Sequence, residues 1–174
     1  MPVLENLTEL AKRINEKTPE KDVFSTYERM AETIPQGTLA DALVNTFRNE
    51  KTMPFREAFF NLFHEASPVQ KAAILNKISG TLGSGRLAEI LGARARFGVL
   101  AKILSGGAEI TPAQTEEIRP DDVKAFVEEA EKKEPKIVNA ASTFFAQHPL
   151  LVKALGARTL VRLISRIAEE KALA

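Results

Sequence analysis

Apolar residues recur along this chain at spacings of three and four, in short runs that end at proline or glycine. The first run carries Val3, Leu7, Leu10 and Ile14 and stops before Pro19. Such spacing places side chains on one face of a helix with 3.6 residues per turn. A strand needs apolar and polar residues to alternate, and no sustained alternation occurs in the sequence. The pattern therefore predicts an all-α fold, a multi-helix bundle of eight to ten short helices.

Several helices have recognisable starting residues. Ser67-Pro68 combines a capping hydroxyl with a proline in the first turn. The run from Thr111 to Gln114 has the spacing of a capping box, in which threonine and glutamine side chains bind each other's backbone N–H groups. Thr38 is the expected cap of the third helix, and Pro54 opens the fourth.

Seven of the nine glycines lie between Gly80 and Gly107. Glycine inside a helix costs roughly 1 kcal/mol relative to alanine, so this cluster needs a physical reason. The segment from Arg86 to Leu104 is apolar and lacks proline, which predicts one continuous central helix that ends at Gly106-Gly107. On a helical wheel, one narrow face of this helix is made of small residues: Ala88, Gly92, Ala95 and Val99.

Two interpretations of this glycine-rich helix remain open. In the first, it is the buried centre of the bundle, and its small-residue face lets a neighbouring helix approach closely. In the second, the face contacts something outside the chain: another copy, a lipid surface or an apolar ligand. The predicted division is an N-terminal helical part (1–83), the central helix (84–107) and a C-terminal helical part (108–174). These parts form one compact domain or two helical lobes.

The last helix carries a row of arginines, Arg158, Arg162 and Arg166, spaced four apart and opposite an apolar face. Before Gly156 the arginine side is instead apolar, which predicts a bend or a break at this glycine. An arginine row of this kind can bind phosphates or anionic lipid headgroups. The competing interpretation is ordinary pairing with carboxylates on the surface.

The sequence offers no set of residues for catalysis. It contains no cysteine, and its two histidines, His64 and His148, lack the Glu-x-x-His spacing of a metal-binding bundle. His148 is expected to bind carbonyl groups at a helix end. The acidic residues fall in first turns or in mixed-charge runs, where they are solvated. We therefore predict no catalytic, cofactor-binding or metal-binding residues, and we expect the protein not to be an enzyme.

The charge balance limits the class of partner. The net charge is +1, which argues against a dedicated nucleic-acid binder, because such proteins carry a basic excess or patch. The N-terminal run does not resemble a secretory signal, and no stretch approaches about 18 uncharged apolar residues. We expect a soluble, cytoplasmic protein.

Two C-terminal runs, ITPAQTEEIRPDDVKAF and EPKIVNAASTFFAQHPLLVKALG, resemble a set of small all-helical bacterial proteins of no established function. The N-terminal run TFRNEKTMPFREAFFNLFHEASPVQKAAILNKI is similar to the same set. The resemblance covers about half of the chain and implies a helical bacterial protein. The resemblance implies no catalytic or binding role for any residue of this chain.

Two functional hypotheses follow. The first is a non-enzymatic helical interaction protein that self-associates or acts as an adaptor for another protein, with the glycine-rich helix near the contact. The second is a peripheral membrane protein, or a binder of an apolar ligand such as a lipid, which uses the central helix together with Arg158, Arg162 and Arg166.

Overall fold

The computed structural model describes residues 9–48, 53–92 and 97–173, with side chains described as far as residue 169. Within these ranges every regular element is helical and no strand occurs, which confirms the all-α prediction. The helices are α1 (residues 9–13), α2 (Glu20–Thr33), α3 (Gln36–Arg48), α4 (Phe55–Glu65), α5 (Pro68–Leu91), α6 (Gly98–Ser105), α7 (Pro112–Thr115), α8 (Pro120–Lys133), α9 (Ile137–Ala146), α10 (Pro149–Val152) and, after a 3-10 turn (Lys153–Leu155), α11 (Ala157–Leu173).

The two predicted capping sites begin helices as expected. At α5, the Gln70 N–H donates to Ser67 Oγ at 3.2 Å, and the Ser67 N–H donates to Gln70 Oε1 at 2.9 Å. At α7, Thr111 and Gln114 exchange the same two bonds at 3.3 Å and 2.9 Å. Both capping boxes therefore satisfy N–H groups that the first helical turn leaves without a carbonyl partner.

The predicted cap of the third helix is wrong. Helix α3 begins at Gln36, two residues before Thr38. The Pro35 carbonyl accepts the N–H groups of Thr38 at 3.0 Å and Leu39 at 3.1 Å. The first turn is therefore already formed by backbone bonds when the chain reaches Thr38.

The chain forms two compact units, one made of Met1–Met53 with Ser142–Ala174 and the other of Pro54–Ala141. This grouping differs from the predicted division at residues 83 and 107. The glycine-rich stretch lies inside the second unit. Helix α4 precedes the stretch and α5 contains its beginning, and both helices pack against α8, which follows the stretch. Prolines and glycines in the sequence mark the ends of helices, but they do not show which helices pack together.

In the first unit, α2 and α3 pack against α11. The core side of α11 is fully buried and consists of Leu160, Leu163, Ile164 and Ile167. The predicted break at Gly156 is confirmed: this residue has φ +90° and separates the 3-10 turn from α11. A left-handed φ of this kind is available to glycine at little steric cost, so the apolar face can change sides here.

Tyr27, the sole tyrosine of the chain, lies on α2 and is fully buried in this unit. Its hydroxyl has no hydrogen-bond partner within the described ranges. Burial raises the pKa of the Tyr27 phenol above its ordinary value, because the phenolate would lose its hydration.

In the second unit, α4 packs against α8 and presents a row of buried phenylalanines. The rings of Phe55 and Phe59 meet edge to face at 5.9 Å between centroids, and those of Phe59 and Phe63 stack at 6.0 Å. Phe97, just before α6, meets Phe126 of α8 edge to face at 6.0 Å. Helix α8 therefore packs both against α4 and, through this aromatic contact, against the beginning of α6.

Candidate interaction surface

The glycine-rich stretch does not form the continuous helix predicted over residues 86–104. Helix α5 ends at Leu91, and α6 begins at Gly98, where φ is +52°. Helix α5 itself is kinked at Gly83, which has φ +78° and ψ +165°. An α-helix requires negative φ, so the chain changes direction at both glycines.

The small-residue face is therefore not one face. Ala88 and Gly92 lie exposed at the end of α5, Val99 lies on α6 with 39% of its surface exposed, and Ala95 falls outside the described residues. Among the described residues, a Cβ added to Gly92 would meet the carbonyl oxygens of its own helix, at 3.2 Å from Glu89 and 3.9 Å from Ala88. For Ala88, Gly92 and Val99, the interpretation as the buried, closely packed side of a central helix is wrong.

Backbone conformation explains two of these glycines better than packing does. A Cβ at Gly83 would meet no atom of the described residues within 4 Å, so its conformation is the requirement that the structure shows there. At Gly98 conformation and space act together, because an added Cβ would lie 2.6 Å from Asp122 Oδ2. That oxygen is buried and has no hydrogen-bond partner among the described residues. Its negative charge beside the first turn of α6 has the favourable sign for the helix dipole.

Helix α6 is amphipathic, with a buried and an exposed side. Leu100, Ala101 and Leu104 are buried, which leaves Val99 and Lys102 on the exposed side. With the chain after α6, this side forms a depression of about 470 Å³, which we call the α6 groove. The groove is lined by Val99, Lys102, Ile103, Gly106, Ala108, Glu109, Gln114 and Glu117.

The floor of the α6 groove is apolar, and its rim carries charges of both signs. Exposed Val99 and half-buried Ile103 supply the apolar side chains, while Lys102, Glu109 and Glu117 are exposed around them. None of these three charged groups forms an ion pair with another described residue. Val99 was predicted from the sequence as a contact residue. The other lining residues were not, because they come together only where the chain turns after α6.

The arginine row of α11 is not uniformly exposed. Arg158 is exposed, whereas Arg162 and Arg166 are half-buried. The Nε of Arg166 is fully buried and has no hydrogen-bond partner in the part of the chain that is described. Since a flat headgroup surface is best matched by fully exposed guanidinium groups, lipid binding through this row stays a prediction that the geometry does little to support.

A second depression, of about 490 Å³, lies in the first unit. Phe24 lines it, and the Lys153 ammonium lies 6.0 Å from the centre of that ring. The same ammonium pairs with Glu28. No sequence signal points to this site, because it depends on α10 lying beside α2 and on Lys153 of the 3-10 turn reaching Glu28. The Lys153 ammonium is already paired within the chain, so this site has less unpaired charge with which to bind a partner.

The histidines occupy the ends of helices. His148 Nδ1 lies 2.8 Å from the Phe144 carbonyl oxygen, and its ring stacks on Phe144 at 4.3 Å, which confirms the predicted contact with a carbonyl at a helix end. His64 stacks on Phe60 at 6.4 Å. In the described ranges, no three histidine or acidic side chains are grouped to hold a metal ion.

Within those same ranges, none of the helices combines the length and apolar character needed to cross a membrane. Comparison of the chain with protein-family models, curated proteins and solved structures finds no match.

Proposed function

We propose that this protein is a non-enzymatic helical interaction protein that self-associates through the α6 groove. The observation that carries the proposal is the composition of the groove, in which the apolar side chains of Val99 and Ile103 lie among Lys102, Glu109 and Glu117. Covering apolar surface with a partner removes it from water, which favours association. The charges on the rim give the contact its specificity.

The mixture of charges favours a second copy of the chain as the partner. In a two-fold symmetric dimer, residue i of one subunit contacts residue j of the other, and the reverse contact follows by symmetry. A rim that holds both a lysine and two glutamates can therefore pair its lysine with a glutamate of the other copy, and the same pair recurs on the opposite side of the axis. A small apolar ligand would occupy the floor but would contribute no charge to match those of the rim.

Sedimentation equilibrium across a range of protein concentrations tests this proposal. We expect the wild-type mass to rise with concentration and the Val99→Asp variant to remain a monomer, because its carboxylate would be desolvated in the contact. Val69→Asp is the matched control. Val69 is 66% exposed on the first turn of α5, where an acidic residue is tolerated, so this variant should associate like the wild type.

A wild-type protein that stays monomeric at the highest concentrations would overturn the proposal. So would equal association of the Val99→Asp and wild-type chains, because the contact would then lie elsewhere.

A further inference from the structure

Two ion pairs join the last part of α5 to the end of α8. The Arg86 guanidinium lies 3.2 Å from Glu134 Oε2, measured from Nη1, and the Lys133 ammonium lies 3.8 Å from Glu89 Oε2. Each segment supplies one basic and one acidic residue, so the two pairs are reciprocal. A shift of one segment along the other would bring like charges together. The pairs therefore favour a single register of the two segments.

Few buried side chains hold the residues of α5 that follow the kink. Ser84 through Glu89 are exposed apart from the half-buried Leu87, and only Ile90 and Leu91 are buried at the end of the helix. The preceding part of α5 differs, since Leu75 and Ile78 are fully buried. The ion pairs therefore add to the burial of Ile90 and Leu91 in holding residues 84–91.

The α8 side of the contact is the fixed side. The side chain of Glu134 is 14% exposed, and its Oε1 accepts the backbone N–H of Lys136 at 3.2 Å. That bond fixes the carboxylate at the turn between α8 and α9. The α5 side is free to move by comparison, because Arg86 and Glu89 are 51% and 64% exposed in their side chains.

We propose that residues 84–91 form a salt-sensitive arm that turns at Gly83 and is held closed by the Arg86–Glu134 and Glu89–Lys133 pairs. Gly83 is the point at which the segment turns, because its positive φ interrupts α5 and an added Cβ would contact no side chain in the part of the chain that is described. Exposed ion pairs are weak and are screened by salt, so the closed population falls as ionic strength rises. This device goes beyond self-association and holds whether or not the α6 groove binds a second copy.

Amide hydrogen exchange of the full chain, read by mass spectrometry at about 20 mM and about 500 mM NaCl, tests the arm. We expect protection of residues 84–91 to fall by roughly three- to tenfold at the higher salt, since salt weakens the exposed Glu89–Lys133 pair and, to a lesser degree, the partly buried Arg86–Glu134 pair. Residues 72–82 of the same helix serve as the internal control and should not change.

Charge reversal supplies the second test. Glu89→Lys should lower protection of residues 84–91 at low salt and weaken its salt dependence, and the added change Lys133→Glu should restore both. Both side chains are exposed, so folding is not at risk. Glu134→Gln keeps the acceptor for the Lys136 N–H but removes the charge, and should also lower protection. Protection that is unaffected by salt, or a double variant that is no better than Glu89→Lys alone, would overturn the arm.

Discussion

The α2–α11 core and the glycine-rich stretch are held in place by different forces. In the core, Leu160, Leu163 and Ile164 are fully buried, and α11 packs against both α2 and α3. In the glycine-rich stretch, Ala88 and Val99 are exposed, and the backbone turns at glycines with positive φ. Apolar burial fixes the first region. The second also buries residues such as Phe97 and Leu100, but backbone conformation and surface charge shape it as well.

Because of this difference, we expect the two regions to contribute unequally to the stability of the fold and to interaction with a partner. A region whose side chains are already buried has little apolar surface left for a partner. The glycine-rich stretch exposes apolar and charged side chains, and these contribute less to the free energy of folding. Substitutions of buried core side chains should therefore affect stability, whereas substitutions of exposed side chains in the glycine-rich stretch should affect association or local mobility.

The greatest loss of stability is expected in the core. Leu163→Ala removes buried methyl groups and leaves a cavity, which should lower the free energy of unfolding by about 2–5 kcal/mol. Val99→Ala removes exposed groups and should change it by no more than about 0.5 kcal/mol. Urea denaturation followed by circular dichroism measures both. Comparable losses for the two variants would remove the distinction between the regions.

Gly98→Ala should be among the most damaging substitutions within the glycine-rich stretch. The left-handed conformation and the 2.6 Å approach of the new Cβ to Asp122 Oδ2 together should cost about 1–3 kcal/mol. In an Asp122→Ala background the steric part disappears, so the same glycine substitution should cost less. An equal cost in both backgrounds would mean that conformation alone matters at this position.

Gly83 and Gly85 give a closely matched pair. A Cβ added at either position would meet no described atom within 4 Å, but only Gly83 of the two has a positive φ. Gly83→Ala should therefore lower the free energy of unfolding by about 1–3 kcal/mol, while Gly85→Ala should raise it by about 0.5–1 kcal/mol. Thermal unfolding of the two variants should shift in opposite directions, and shifts of the same sign would contradict a conformational requirement at the kink.

Tyr27→Phe should have a smaller, stabilising effect. The buried hydroxyl lacks a hydrogen-bond partner among the described residues, so its removal should raise the free energy of unfolding by about 1 kcal/mol. The raised pKa of the Tyr27 phenol also predicts how stability depends on pH. The phenol of the unfolded chain loses its proton above about pH 10, whereas that of the folded chain keeps it, so the free energy of unfolding falls as the pH rises beyond that value.

The phenolate absorbance reports Tyr27 alone, because it is the sole tyrosine. It should appear only as the wild-type protein unfolds, and the Tyr27→Phe variant should lose less stability at alkaline pH. Titration of the phenol at its ordinary pKa while the helical circular dichroism stays native would contradict this prediction.

Periodicity and capping residues predicted much of the fold. The apolar spacing indicated the all-α class, Ser67 and Thr111 marked two helix starts, and the change of apolar side marked the break at Gly156. These signals are local, because each depends on residues within a turn or two of the chain.

The candidate site was only partly predictable. Val99 was identified, but Gly98 beside it was assigned a helical conformation, and glycine composition alone does not distinguish a flat helix face from a left-handed turn. Lys102 and Glu117 lie on separate elements, and their meeting depends on how the chain turns after α6. The Arg86–Glu134 pair likewise depends on tertiary packing that periodicity does not encode.

If two copies of the α6 groove meet through complementary rim charges, a mixing experiment should reveal it. Lys102→Glu makes the three rim charges acidic, and Glu109→Lys with Glu117→Lys makes them basic. Each variant alone should sediment as a monomer, because like charges would face each other. An equimolar mixture should form a heterodimer. Self-association of either variant by itself, or a mixture that remains monomeric, would contradict the proposed contact.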